Sequence, residues 1–385
     1  MKSTVSLMSE LAKTHEVLYV DYPYTWKDLV FRILGRENTA SIPRVLGLQP
    51  RLRSKQLSEG QMIHLLTLPP FIPANWMSST RHYDRLLDFN GSVAQRAILK
   101  AMTDLQFERP IVINAFNPAL GNALLNKLGE RCLIYYCYDE ISAAQWISKH
   151  GARHEQRFLV EVDLTIVTST GLLQTKTPNT SNCVMVKNGV SLTLFKGDIP
   201  RSAKRRPRIG YLGSLDERVD ISLLTHVIKT FPVWEFQFVG RIVLPELAAE
   251  LRRYPNVIVS GPRPLEDLGA IVAGFDVGLI PFKKNELTAG IYPLKINEYL
   301  AMGTPVVSTD FADLSDFASV AFVGTTKEEF VNSIQEALLQ NSATAVRQRK
   351  SFAQSNSWTA RAQAFDVALD QVLAVKSGSP IPVER

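Results

Sequence analysis

The stretch Leu279 to Asp310, LIPFKKNELTAGIYPLKINEYLAMGTPVVSTD, limits the possible folds more than any other part of the chain. It opens on the end of an apolar strand, Val277 to Phe282, and passes through a polar loop holding Glu286 and Gly290. Pro293 then starts a helix, because a proline at the first helical position gives up an N–H that would be unpaired there anyway. Gly303 and Pro305 stop that helix, and Val306 to Thr309 reads as the next strand. Strand, loop, helix and strand in this order make one turn of a parallel α/β sheet. Such sheets hold ligands beyond the carboxyl ends of their strands, which is where this loop and the first turn of this helix lie.

The charges in that turn are unusual. Lys295 falls where the helix dipole disfavours a cation, and Glu298 sits three residues on, so both can face one side. A lysine beside free helix N–H groups forms an anion site suited to phosphate. A carboxylate one turn deeper can accept two hydroxyl hydrogen bonds, as a ribose would offer. The same spacing also fits an intrahelical Lys–Glu pair on a solvated face, and the two readings stand side by side at this point.

The run NELT…YPLKINEYLAMGTPVVSTD resembles the nucleotide-sugar site of GT-B-fold glycosyltransferases. The likeness is to members with a P-x-K-x-x-E-Y-x-A-x-G-x-P-V-V pattern, teichuronic-acid and xanthan-type enzymes among them. The resemblance implies an α/β chain of two Rossmann-like domains facing a central cleft. It implies that Glu298 holds the ribose and that Gly290 to Tyr292 face the diphosphate and sugar. Lys295 and Tyr292 are then the groups that steady the departing diphosphate, without a bound metal and without a cofactor. Many retaining members carry two glutamates seven residues apart, and the first would fall on Gly290 here. Glu286 is nearby but out of register, so the sugar-contacting acid and the stereochemistry stay open.

A chain of 385 residues is expected to form two domains, since single cores seldom exceed about 250–300 residues. The formal charge of +6 fits an anionic ligand or an acidic membrane surface and does not call for nucleic acid, of which the motifs give no sign. Cys132, Cys137 and Cys183 form no C-x-x-C and read as buried thiols of a reducing compartment. No apolar run reaches the roughly 20 residues that span a bilayer. The start reads as an amphipathic helix rather than a signal peptide, so a cytoplasmic location is expected.

In chain order, a helix over Thr4–Thr14 leads to a strand, Val17–Asp21. Relatives of the suspected family begin one strand and one glycine-containing turn earlier, and a shortened amino terminus is expected here. Tyr22–Gly60 is the least regular part, with Trp26, Val30, Phe31, Ile33 and Leu34 interleaved with Lys27, Arg32 and Arg36. Such a basic amphipathic segment suits the inner face of an anionic membrane, or else packs its apolar side on its own domain. A helix over Ser79–Leu105 follows, then strands at Ile111–Phe116, Cys132–Tyr138 and Asp163–Ser169. Asp139, at the end of one of these strands and before a helix through Gln145 and Trp146, has two readings. It matches in position an Asp that some inverting relatives use as general base, and it also suits a helix cap. His150 and His154 are four apart, and a solvated helix is expected rather than a metal site. Lys187–Ser191, KNGVS, resembles the turn closing the first GT-B domain.

Residues 196–208 read as a linker between a first domain, 1–195, and a second, 209–356. The helix over 357–376 is expected to cross back. Gly213, after the first strand of the second domain, lets backbone approach a phosphate. Arg218 either reaches that phosphate or pairs with Asp216. Ser260, in the turn after another strand, matches the turn that holds the base in the family. The function the resemblance implies is sugar transfer from a UDP- or GDP-sugar donor to an acceptor hydroxyl, in assembly of a cell-surface polysaccharide. The acceptor would be a lipid-linked saccharide. A nucleotide-sugar 2-epimerase and a non-catalytic partner of another transferase are the alternatives.

Overall fold

A computed structural model describes residues 3–34, 41–57, 60–142, 147–197 and 206–378. The expected helix through Gln145 and Trp146, Arg36 of the basic segment, and most of the linker at 198–205 lie outside the described residues. The chain divides into two compact units, one built from residues 3–168, 172–186 and 364–378, the other from 169–171 and 187–363.

The first unit runs α1 (Ser3–Leu11), β1 (Val17–Val20), α2 (Trp26–Ile33), α3 (Ile42–Val45), β2 (Leu52–Gln56), β3 (Met62–Leu66) and α4 (Thr80–Asp104). It continues with β4 (Ile111–Ala115), α5 (Pro118–Leu124), β5 (Cys132–Cys137), α6 (Ser148–Glu161), β6 (Leu164–Val167), α7 (Thr170–Lys176) and β7 (Cys183–Met185). Its strands form two sheets, one of order β1-β3-β2 and one of order β4-β5-β6-β7. β5 and β6 are buried at every residue, as continuous apolar runs covered on both faces should be. The segment expected to be irregular contains two helices and a strand. β2 pairs antiparallel with β3 and keeps Arg53 and Lys55 exposed on an outer edge, where charge discourages further pairing. α2 opens on a capping box between Thr25 and Asp28 and buries Leu29 beside Val45.

His150 and His154 correct the sequence reading, since neither is solvated. His150 stacks on Tyr83 with ring centroids 3.9 Å apart, and its Nε2 lies 2.9 Å from the Met77 carbonyl. His154 sits 3.3 Å from Asp84. Burial and the adjacent Arg153 hold its titration below the ordinary imidazole value, so it is a neutral core group. Periodicity misses this because Arg153 and Arg157 flank it and give the helix a polar look.

The second unit runs β8 (Arg208–Leu212), α8 (Ile221–Thr230), β9 (Glu235–Val239), α9 (Pro245–Leu251), β10 (Val257–Ser260), α10 (Leu268–Ala273), β11 (Val277–Ile280) and α11 (Glu286–Ala289). Then come α12 (Leu294–Ala301), β12 (Val306–Thr309), β13 (Ala321–Gly324), α13 (Lys327–Leu339), α14 (Ala343–Ser355) and the start of α15 (Trp358–Ser377). All six strands are parallel, in the order β10-β9-β8-β11-β12-β13. The chain therefore winds outward from β8 in one direction, returns to β11 beside it, and winds outward in the other. A doubly wound sheet opens a crevice where that reversal occurs, between the carboxyl ends of β8 and β11.

α12 is pinned over this reversal point. The Tyr299 hydroxyl accepts the Leu212 N–H at 2.8 Å and donates to the Leu279 carbonyl at 3.4 Å, tying the ends of β8 and β11 to one side chain. A Cβ at Gly278 would stand 2.6 Å from that ring, so this strand position must lack a side chain for α12 to lie so close. Pro293 caps α12 from outside rather than occupying its first turn, one residue from the expected boundary.

Candidate functional site

Three of the expected donor-site residues meet at the reversal point. Gly213 follows β8 with φ 156°, and a Cβ there would fall 2.2 Å from the Lys295 Cε. The lysine stem thus lies directly on the Gly213 backbone, and only glycine permits it. From there the ammonium reaches over two rings, 5.0 Å from the Phe282 centroid and 5.7 Å from that of Tyr211. Burial, with the Arg218 charge adding to it, pushes the Lys295 ammonium down to about 8, against the pull of Glu298 and Asp216. Glu298 lies one turn deeper on α12. Burial raises its carboxyl above the usual range, and the Lys295 charge opposes that rise. The reading of Lys295 and Glu298 as a pair on a solvated face therefore does not describe them: both charges are desolvated.

Arg218 forms the pair with Asp216. Its Nε donates to Oδ1 at 2.9 Å and an Nη donates to Oδ2 at 2.5 Å. The guanidinium also stands over Phe282, 5.3 Å from the centroid. Burial raises the Asp216 carboxyl, but the Arg218 guanidinium outweighs it and holds the group below the usual carboxylate range. Lys295 and Arg218 thus crowd one ring, Phe282, from their two sides of the crevice. α12 adds free dipole to this cationic pocket, because Pro293 gives its first turn no side-chain cap.

The other expected residues are placed as follows. Ser260 ends β10, two strands from β8, and its carbonyl accepts the Gly240 N–H at 3.3 Å. Glu286 is the exposed first residue of α11, a single turn held by the Asn285–Thr288 capping box. Gly290 is buried at the end of that turn. Tyr292 turns its ring into the core against Phe317, at 5.6 Å between centroids, and its hydroxyl accepts from Asn297 at 3.3 Å. Any part it plays at a ligand falls to its backbone. Among the described residues no cluster of three metal-ligating side chains occurs.

Asp139 belongs to the first unit, just past β5, where its Oδ1 accepts the Glu140 N–H at 3.0 Å. It does not cap α6, whose preceding residue is Ile147. Its neighbour Glu140 opens a cluster that the sequence does not advertise. Lys176 donates to both oxygens of Glu140 at 2.9 Å and to Glu155 at 2.8 Å, and Tyr135 donates its hydroxyl to Glu155 at 2.7 Å. These residues come from four separate elements, so no local spacing brings them together. The only hint is a lysine, Lys176, in an otherwise apolar turn context.

With this geometry described, comparison with known proteins is informative. Residues 206–340 match the family model described as Glycosyl transferases group 1, and this part of the chain is a domain of that family. Over 190 residues the chain is 26% identical to a protein of Bacillus subtilis (strain 168) named as a teichuronic acid biosynthesis glycosyltransferase, TuaH. That match takes in 45% of this chain and 47% of the relative, so the chain spans about half the length of the curated relative it matches. Among solved structures, sucrose-phosphate synthase from Thermosynechococcus elongatus superimposes with TM-score 0.66 at 15% identity, over 94% of this chain and all of that one. Anabaena HepE, solved in complex with UDP and glucose, gives 0.64 at 15% identity over 96% of both chains. OtsA gives 0.68 at 11% over 96% of this chain and 97% of that one. The fold is therefore the GT-B fold expected from the sequence.

Proposed function

We propose that this chain is a glycosyltransferase that moves a sugar from a UDP- or GDP-sugar to an acceptor hydroxyl in the assembly of a cell-surface polysaccharide. The observation that carries this is the meeting of Gly213, Lys295 and Glu298 at the reversal point of the second unit's sheet. A diphosphate lies against the Gly213 backbone and the first turn of α12, with Lys295 neutralising it. Arg218 sets the field around Lys295 through Phe282. Glu298 accepts hydrogen bonds from the ribose hydroxyls. Ser260 offers backbone groups to the base, and the backbone from Gly290 to Tyr292 faces the sugar, with Glu286 at the mouth of that loop. Asp139 removes the acceptor proton. The departing diphosphate is stabilised by Lys295 and the helix amides, with no metal ion. The relative named for teichuronic acid synthesis supports a polysaccharide product.

The test is a thermal-shift and calorimetry screen of UDP-, GDP- and CMP-sugars, with Glu298→Ala beside the wild type. A donor at about 100 times its dissociation constant raises stability by roughly 2.7 kcal/mol. Loss of two charge-assisted hydrogen bonds should weaken the donor by about 100-fold in the variant. Binding accompanied by donor hydrolysis supports the transferase. Interconversion of the donor's 2-epimers without transfer moves the chain to the epimerase class, and no binding at all leaves the non-catalytic reading.

We also propose that α2 rests on the inner face of an anionic membrane, where a lipid-linked saccharide acceptor is presented. Trp26, Val30 and Ile33 recur at helical spacing on α2 with 50%, 52% and 71% of their surface exposed, among Lys27 and Arg32. An exposed apolar stripe with flanking cations suits the headgroup boundary. Among the described residues no helix is long and apolar enough to cross a membrane, so any such contact is peripheral. Sedimentation with phosphatidylserine-containing vesicles at low salt is expected to carry down the wild type. Trp26→Ser with Ile33→Ser should reduce the bound fraction about tenfold, and a wild type that stays in the supernatant overturns the proposal.

A further inference from the structure

The first unit holds an unassigned cavity of about 1370 Å³ running between β1 and β4. Each of these strands ends its sheet, β1 outside β3 and β4 outside β5, so both turn a free backbone edge toward the cavity. Every residue of β1 and β4 is only half-buried, although Val17, Leu18, Ile111, Val112 and Ile113 are as apolar as the fully buried β5. Helices close the two faces of the gap. Ile98 and Met102 of α4 line one part, and Met8 and Leu11 of α1 with Leu369 and Leu373 of α15 line another. Two apolar strand edges under two helical covers are what remains when one central strand is taken out of a continuous sheet.

We propose that this gap is an acceptor slot for one further β-strand, attached directly ahead of α1 and running parallel to β1 and β4. The chemistry of the edges selects a peptide. Unpaired backbone N–H and C=O groups need partners once covered, and an acyl chain of matching length supplies none. The strand must be apolar on both faces and about five residues long, to match β4. The chain's final residues, with Pro380 and Pro382, cannot pair on both edges. The connection points to attachment before α1. Thr4 and Met8 on this helix line the slot, and the helix then delivers the chain to β1 at the slot's edge. A strand in the slot, α1 and β1 together make one right-handed βαβ unit, which joins parallel neighbours. The two sheets then become one of eight strands, counting the three and the four already present.

The experiment fuses a five-residue Val/Ile segment and a glycine-containing turn ahead of the first residue. A control carries proline at the segment's centre. Filling the slot is expected to raise the unfolding midpoint by about 5 °C or more, and to slow amide exchange in 17–20 and 111–115 by roughly 10–100-fold. The β9 and β10 amides should not change. Ile113→Glu should remove this gain in the fused chain and shift the unfused midpoint by under about 1 °C, because Ile113 borders open space only when the slot is vacant. Equal behaviour of the proline control, or unchanged exchange at both edges, overturns the proposal. Full protection from the same segment added as a free peptide overturns the attached source, since the slot would then take its strand from another chain.

Discussion

Lys295→Ala is expected to lower sugar transfer by about 100- to 1000-fold, the loss typical of removing one preorganised group from a developing negative charge. The structure adds a pH signature that a merely structural lysine would lack. Desolvation, with Arg218 adding to it, holds the Lys295 ammonium at about 8 in the free chain. A bound diphosphate favours the charged form and raises that value, so protonation and UDP binding are linked. UDP affinity is expected to be flat below about pH 7 and to fall above pH 8, approaching tenfold per unit until the complex itself titrates. Lys295→Arg should bind without this fall, since guanidinium stays charged. The same shift affects stability with the opposite sign. The folded value lies below the roughly 10.4 of an unfolded lysine, so between about pH 8 and 10 the unfolded chain holds more protons and this group makes the fold more stable as pH rises. A loss of UDP affinity above pH 8 therefore cannot be put down to unfolding through Lys295. Calorimetry of UDP binding from pH 6 to 9.5, with Lys295→Arg alongside, checks it. A wild-type affinity as flat as the variant's would remove Lys295 from the diphosphate.

Much of this site was legible in the sequence because it is local. The strand–loop–helix–strand run from Leu279 to Asp310 carries its own punctuation, and Lys295 and Glu298 share a face by spacing alone. Gly213 was legible as a backbone position, but the reason for it lies elsewhere in the chain: the Lys295 stem occupies the space of its missing Cβ. Tyr299 looked like one more apolar helix residue, and only the sheet order shows that its hydroxyl ties β8 to β11. Tyr292 looked like a polar handle at ligand height, yet packing against Phe317 claims its ring. The histidines of α6 failed for the converse reason, because flanking arginines masked a buried face. Spacing reports what an element offers, while the partner elements decide which offers are taken.

The first unit gives the sharpest case, and it carries the largest expected effect on stability. Lys176 has a side chain only 6% exposed, set between Glu140 and the equally buried Glu155. Burial disfavours its charge, yet the Glu155 carboxylate and its companions outweigh this and hold the lysine above its usual range. Lys176→Met fills a similar volume but leaves two carboxylates in contact without a counter-charge. Breaking a buried ion network from one side costs about 3–5 kcal/mol, enough to lower the first unit's unfolding transition by roughly 10 °C. Adding Glu155→Leu should recover most of that loss, because a fully apolar replacement has no charge to leave stranded. Tyr135 then keeps an unpaired hydroxyl, which sets the residue of the deficit at about 1–3 kcal/mol. Glu140 follows Asp139 and receives two hydrogen bonds from Lys176, so both variants should also lose transfer rate with little change in donor affinity. Urea unfolding of the two variants, followed by near-ultraviolet circular dichroism, separates the outcomes: a double variant no more stable than Lys176→Met would mean that the lysine acts through its packing and not through its charge.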